Sequence, residues 1–186
     1  MKKTNSAADA KRVVPMLAAA ALSMSGAWAQ TAPAASAPAL PPPACLADEH
    51  RQFDFWIGDW EVFQPNGQKV GENRIEPIAN GCALLENWSG RGGFSGKSLN
   101  IYDRDDKRWH QTWVDSSGSL LVIAGGLVDK RMVMSSQAPA PGGGTLQQRI
   151  AWTPDDDGSV RQLWESSTDS GKTWTVQFDG KYVRRK

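Results

Sequence analysis

The stretch RWHQTWV, residues 108–114, carries the pattern that decides the fold. Aromatic and polar residues alternate in it, so that Trp109, Gln111 and Trp113 share one face of an extended chain while His110 lies on the other. Alternation with a period of two predicts a β-strand whose two faces meet different surroundings.

Segments of this kind recur along the chain, and turn signals such as Asn66-Gly67 separate them at intervals of about 8–14 residues. Eight of the nine tryptophans lie between Trp56 and Trp174, within this series. No long helix is predicted, and residues 49–57 would form one short helical turn at most. Regular spacing of short strands is typical of a sandwich or a barrel. The predicted strands are residues 53–63, 69–78, 82–88, 97–102, 108–114, 119–124, 128–135, 146–152, 160–166 and 174–183.

The string FDFWIGDW, residues 53–60, opens the series and contains Gly58-Asp59-Trp60. That triplet resembles the Gly-x-Trp motif in the first strand of lipocalin-like, or calycin, barrels. In those barrels the tryptophan closes one end, and an arginine from the last strand stacks on it. The resemblance gives this structural role to Trp60, with Arg184 or Arg185 as its partner. It implies an all-β fold, an antiparallel up-and-down barrel, and the strand pattern gives this barrel about ten strands.

A wider match extends over nearly all of the chain from Phe53 onward. Its strings resemble a family of uncharacterised, secreted bacterial domains of lipocalin-like shape. The resemblance implies a fold and export from the cell, and it implies no activity. The matching strings are residues 53–62, 81–88, 109–115, 160–166 and 178–182.

The string STDSGKTW, residues 167–174, fits the Asp-box pattern Ser-x-Asp-x-Gly-x-Thr-Trp at every fixed position. It resembles the hairpin turns of sialidase propellers, in which such residues fix the turn. A propeller needs repeated blades, and one copy in a short domain cannot make one. Asp169, Gly171 and Trp174 are therefore predicted to have a structural role in a hairpin.

Several predicted strand faces combine a large aromatic ring with an amide, hydroxyl or carboxylate. A dry core would not normally hold this mixture, because each buried polar group needs a partner. A partly hydrated, ligand-sized cavity would tolerate it. The alternative is that these polar groups pair with one another or face solvent. The candidate ligand-binding residues are Glu86, Trp88, Tyr102, Gln111, Trp113, Gln162 and Trp164.

The N-terminal region predicts an exported protein. Residues 1–29 combine basic residues, an apolar run at residues 13–24 and the small-x-small site Ala27-Trp28-Ala29, as a cleaved signal peptide does. An uncleaved anchor is the alternative. Residues 30–44, rich in Ala and Pro, predict a disordered tether, and residues 45–186 predict the barrel domain. Its location would be periplasmic or extracellular.

Charge and hydropathy exclude several classes of partner. Residues 30–186 carry 17 Lys and Arg and 19 Asp and Glu, a net charge of −2, with no basic patch for nucleic acid or anionic lipid. We expect no membrane span in the mature chain and a monomeric protein. The expected partner is a small hydrophobic or aromatic molecule.

Cys45 and Cys82 are the only cysteines, and export would place them in an oxidising compartment. We expect a disulfide between them. Two free buried thiols, or a lipid anchor on Cys45, are the alternatives.

Few sequence motifs point to catalysis or to metal or cofactor binding. No cluster of Cys and His is spaced for zinc, and we expect no metal, no cofactor and no catalytic residue. One alternative is an enzyme that uses Glu86 or His110 as acid or base in the same cavity. Another is haem ligation by His110. A third is a cell-envelope interaction module with a filled core and an exposed apolar patch.

Overall fold

Ten antiparallel strands close into a barrel in the computed structural model, which describes residues 45–140 and 142–186. Each strand pairs with its neighbours in sequence, and the first pairs with the last. The predicted signal peptide and tether lie outside the described residues. The strands are β1 Gly58–Phe63, β2 Lys69–Ile78, β3 Ala83–Gly90, β4 Ser95–Asp103, β5 Arg108–Asp115, β6 Leu120–Val128, β7 Arg131–Pro139, β8 Thr145–Pro154, β9 Val160–Ser167 and β10 Thr175–Arg184.

This architecture confirms the predicted all-β, up-and-down barrel of about ten strands. The alternation that predicted it is visible in β5, where Trp109 and Gln111 are buried while Arg108 and Thr112 are exposed. Side chains of successive strand residues point to opposite sheet faces, so one set fills the barrel and the other faces out.

One end of the barrel is closed by residues 45–57, which we call the plug segment. It contains two 3-10 turns, Asp48–Arg51 and Asp54–Trp56, where a single short turn was predicted. The first strand therefore begins at Gly58, five residues later than predicted. The reason is burial, because the turns direct the fully buried rings of Phe53 and Trp56 into the barrel end.

Trp60 and Arg184 meet where β1 and β10 close the barrel. The Trp60 Nε1 donates a hydrogen bond to the Trp56 carbonyl at 2.9 Å. The Arg184 guanidinium lies 4.4 Å from the centre of the Trp60 ring, and its Nη1 donates to the Ile57 carbonyl at 3.2 Å. This arrangement joins the chain end to the plug segment by cation–π and hydrogen-bond contacts.

The Asp-box residues form the turn between β9 and β10. The Asp169 carboxylate accepts hydrogen bonds from the Ser167 hydroxyl at 2.7 Å and from the Thr173 backbone N–H at 2.9 Å. The Trp174 Nε1 donates to the Gly171 carbonyl at 3.1 Å. Gly171 has a φ of +82°, a conformation that L side chains rarely adopt.

Cys45 and Cys82 form a disulfide, as predicted, and the bond joins the start of the plug segment to the residue before β3. The helices in the described part of the chain are single 3-10 turns of three or four residues, none of which could span a bilayer.

Candidate ligand-binding site

A cavity of about 370 Å³ occupies the barrel interior at the end opposite the plug segment. We call this end the mouth; the turns that follow β1, β3, β5, β7 and β9 surround it. Exposed Arg91 and Phe94, from the turn after β3, line its edge. The full lining is Val70, Glu86, Trp88, Gly90, Arg91, Phe94, Gln111, Trp113, Asp115, Leu121, Ile150, Gln162, Trp164, Gln177, Phe178 and Tyr182.

Glycines in the strands explain why large aromatic rings leave this space open. A Cβ built on Gly96 would lie 2.2 Å from the Trp113 ring, and one on Gly71 would lie 2.7 Å from the Trp88 ring. Each indole therefore lies against the wall, in the place where a neighbouring strand lacks a side chain. Because the rings cover the wall instead of crossing the barrel, the centre stays hollow.

The floor of the cavity is polar and centres on the buried carboxylate of Glu86. Its Oε1 accepts a hydrogen bond from Asn73 Nδ2 at 2.7 Å, and its Oε2 accepts one from Ser98 Oγ at 2.6 Å. Ser98 Oγ in turn accepts from Asn100 Nδ2 at 2.9 Å. Strands β2, β3 and β4 thus supply one connected network, which satisfies most of its buried polar atoms.

Two amides extend this network toward the cavity. Gln111 Nε2 donates to Asn100 Oδ1 at 2.8 Å, and the Tyr182 hydroxyl donates to Gln162 Oε1. These bonds fix the orientation of both glutamines. Among the described residues, Gln111 Oε1 and Gln162 Nε2 then have no hydrogen-bond partner, so an acceptor and a donor remain for a molecule in the cavity.

Burial raises the pKa values of two groups that line the cavity, Glu86 and Tyr182. Loss of hydration raises the pKa of Glu86 from 4.5 to about 7, although the hydrogen bonds from Ser98 and Asn73 act in the opposite direction. Burial and the nearby Glu86 charge also raise the pKa of Tyr182 well above its usual value. Glu86 therefore changes charge near neutral pH while Tyr182 stays neutral.

The structure places six of the seven predicted ligand residues on the cavity wall: Glu86, Trp88, Gln111, Trp113, Gln162 and Trp164. Tyr102 is the exception. Although it shares the inward face of β4 with Ser98 and Asn100, it lies near the plugged end, with its ring edge-on to His50 at 5.1 Å. It does not line the cavity, so the prediction that it binds the ligand is not kept.

Sequence reasoning missed several wall residues, above all Phe178 and Tyr182 on β10. Phe178 meets Trp88 edge-on, with ring centres 6.0 Å apart, and thereby narrows the mouth. Alternation through Phe178, Gly180 and Tyr182 was the available signal, since it puts all three on one strand face. Isolated glycines such as Gly71 and Gly96 were a second signal, because they mark close approach in a strand.

His110 lies on the outer face of β5, where its Nε2 is 2.7 Å from Asp106 Oδ2. The barrel wall separates it from the cavity, so neither acid–base catalysis nor haem ligation inside the barrel follows from its position.

Asp103, Asp106 and His110 each place one possible metal-ligand atom within 4.8 Å of the others. Both aspartates also accept backbone hydrogen bonds that fix the turn between β4 and β5.

Comparison with known proteins adds no assignment: no protein-family model matches the chain, and no curated protein matches it.

Replacing Glu86 with Gln should remove a pH-dependent loss of stability. Because the pKa of Glu86 rises from 4.5 to about 7 on folding, the folded protein binds more protons than the unfolded chain between these values. The free energy of unfolding therefore falls as pH rises through this window, by about 3 kcal/mol in total. Urea titrations at about pH 4.5 and pH 8 should show this fall in the parent protein but not in Glu86→Gln.

The matched control is Glu165→Gln, which removes an outward-facing carboxylate from β9. Arg149 lies 2.8 Å from this carboxylate. Its removal should leave the part of the pH profile that is due to Glu86 in place. Parallel pH profiles for the parent and Glu86→Gln would contradict the raised pKa.

Proposed function

We propose that this protein is an exported, monomeric barrel that binds a small, largely apolar molecule in its aromatic cavity. The observation that carries the proposal is a space of about 370 Å³ walled by Trp88, Trp113, Trp164 and Phe178. Ligand pockets commonly measure about 300–1,000 Å³ and combine apolar walls with a few oriented polar groups. The floor formed by Glu86, with Gln111 and Gln162, matches that description.

Export is part of the proposal. It is supported by the signal-like pattern of residues 1–29 and by the disulfide, since such bonds persist mainly in oxidising compartments. The resemblance of several strings to secreted bacterial domains of lipocalin-like shape also supports it. Periplasmic and extracellular locations are both compatible with these observations.

The interaction-module alternative predicted a filled core together with an exposed apolar patch. The outer faces of β4 to β6 do carry exposed apolar side chains, including Leu99, Leu120 and Val122. The core is not filled, however, because the cavity remains. We therefore base the proposed function on the cavity.

A second candidate function is acid–base catalysis on the bound molecule, and the position of Glu86 favours it. A carboxyl with a pKa of about 7 can both donate and accept a proton at neutral pH. Removing a general base typically lowers turnover by about 10²–10⁴-fold. A binding protein would keep its affinity for a neutral ligand when Glu86 becomes Gln.

The neutral dye N-phenyl-1-naphthylamine, which fluoresces in apolar surroundings, tests the binding function. We expect a saturable rise in fluorescence with the parent protein. Leu121→Trp should weaken binding by about tenfold or more, because Leu121 lines the cavity and a larger ring would fill it. Val122→Trp is the matched control, since Val122 is the next residue on β6 and is 51% exposed on the outer face.

Val122→Trp should leave the dissociation constant within about twofold of the parent value. The absence of saturable binding to the parent protein would refute the proposed function. An equal loss of affinity in Leu121→Trp and Val122→Trp would do the same, because it would place the dye elsewhere.

A further inference from the structure

Glu86 is a buried carboxylate without a counter-charge among the described residues. It is 4% exposed, and the groups that shift its pKa are neutral hydrogen-bond donors and burial itself. Carboxylates this deeply buried are normally paired with a cation. The hydroxyl and amide donors supply only part of that compensation, so the charged form of Glu86 would gain from a cation bound beside it.

The cavity floor also offers more acceptors than donors. Each Glu86 oxygen accepts one hydrogen bond, although a carboxylate can accept about four in all. The hydrogen bonds of Gln111, which lines the cavity, leave its Oε1 unused. Beside Glu86 and Gln111 in the described part of the chain, the Gln162 amide offers a donor in return. This balance favours a ligand that carries N–H groups.

The surroundings of Glu86 suit a cation with an apolar body. Trp88, Trp113 and Trp164 line the same cavity, and indole faces attract ammonium groups. The titratable group that faces Glu86 is Tyr182, on β10, and it stays neutral. At the mouth, Arg91 and Asp115 add one positive and one negative charge to the lining.

We propose that the ligand is a small organic amine whose ammonium group pairs with Glu86 while its apolar part lies against the tryptophan rings. This inference rests on the proposed binding function and names the chemical class of its ligand.

Calorimetric titration with 2-phenylethylamine, 2-phenylethanol and 3-phenylpropionate tests it, because these probes share a phenyl body and differ in charge. At about pH 8.5 we expect the amine to bind at least tenfold more tightly than the alcohol, and the acid to bind more weakly than both. Glu86→Gln should abolish the advantage of the amine over the alcohol, and its far-UV circular dichroism checks that it folds.

The pH dependence of the parent protein provides a test without any variant. Lowering the pH to about 5.5 should weaken amine binding roughly 30-fold, because Glu86 must then lose a proton while the amine stays charged. Alcohol binding should stay nearly constant. Equal affinity for amine and alcohol, or a preference that persists in Glu86→Gln, would overturn this inference and leave the proposed function intact. Failure of all three probes and of the neutral dye would overturn both.

Discussion

Replacing Trp56 with Ala is expected to lower the free energy of unfolding by about 3–5 kcal/mol. Its indole is fully buried in the plugged end, stacked on Phe53 at 4.9 Å between ring centres and tilted against Trp152 at 5.4 Å. Phe53 lies in the same plug segment and Trp152 on β8, and closely packed rings of this size relax only partly into the void that alanine leaves. Urea titration followed by far-UV circular dichroism measures the loss.

Thermal unfolding should show the same loss as a fall of roughly 10–15 °C in the midpoint. The control is Leu46→Ala, in the same plug segment, because Leu46 is 65% exposed and its removal should cost less than about 0.5 kcal/mol. A loss below about 1 kcal/mol for Trp56→Ala would show that the plug segment is not part of the cooperative core.

The strands were predictable from sequence because alternation is a local property. Every predicted strand from residue 69 onward overlaps an observed one, and β2 Lys69–Ile78 has the predicted bounds. The error lies at the first strand, where Phe53 and Trp56 are as apolar as strand residues. Alternation cannot tell a strand that faces a core from a turn that inserts two rings into it.

The site was harder to predict because it depends on register. Alternation put Glu86 and Gln111 among the cavity candidates, yet their contacts depend on strand pairing. Glu86 is opposite Ser98 across β3 and β4, and Gln111 is opposite Asn100 across β4 and β5. Alternation with a period of two also does not show how far along the barrel axis a residue lies. Tyr102 and Trp113 both face inward, but Tyr102 meets the plug segment while Trp113 lines the cavity.

A buried carboxylate and a hollow core both reduce stability, so this barrel needs compensation elsewhere. The charged form of Glu86 opposes folding at neutral pH, and the cavity forgoes the packing that apolar side chains would provide. The buried aromatic rings of the plug segment and the disulfide both lie at the opposite end. Because the two ends are separate, the mouth can keep the polar groups that the proposed ligand would use.

The disulfide should contribute about 4 kcal/mol to this compensation, so replacing both Cys45 and Cys82 with Ala should lower the free energy of unfolding by that amount. The bond joins residues 37 positions apart, and a cross-link over such a loop removes about that much chain entropy from the unfolded state. Urea titration should give the same midpoint for the variant and for the reduced parent protein.

The same variant tests whether the two ends of the barrel are independent. Because the cavity lies at the mouth, the variant should keep the dye affinity of the parent within about twofold at temperatures where it remains folded. Adding Trp56→Ala should cost less than the sum of the separate losses, since both changes loosen the plug segment. If reduction lowers stability by less than about 1 kcal/mol, the disulfide does not hold the plug segment in place, and the aromatic rings alone do so.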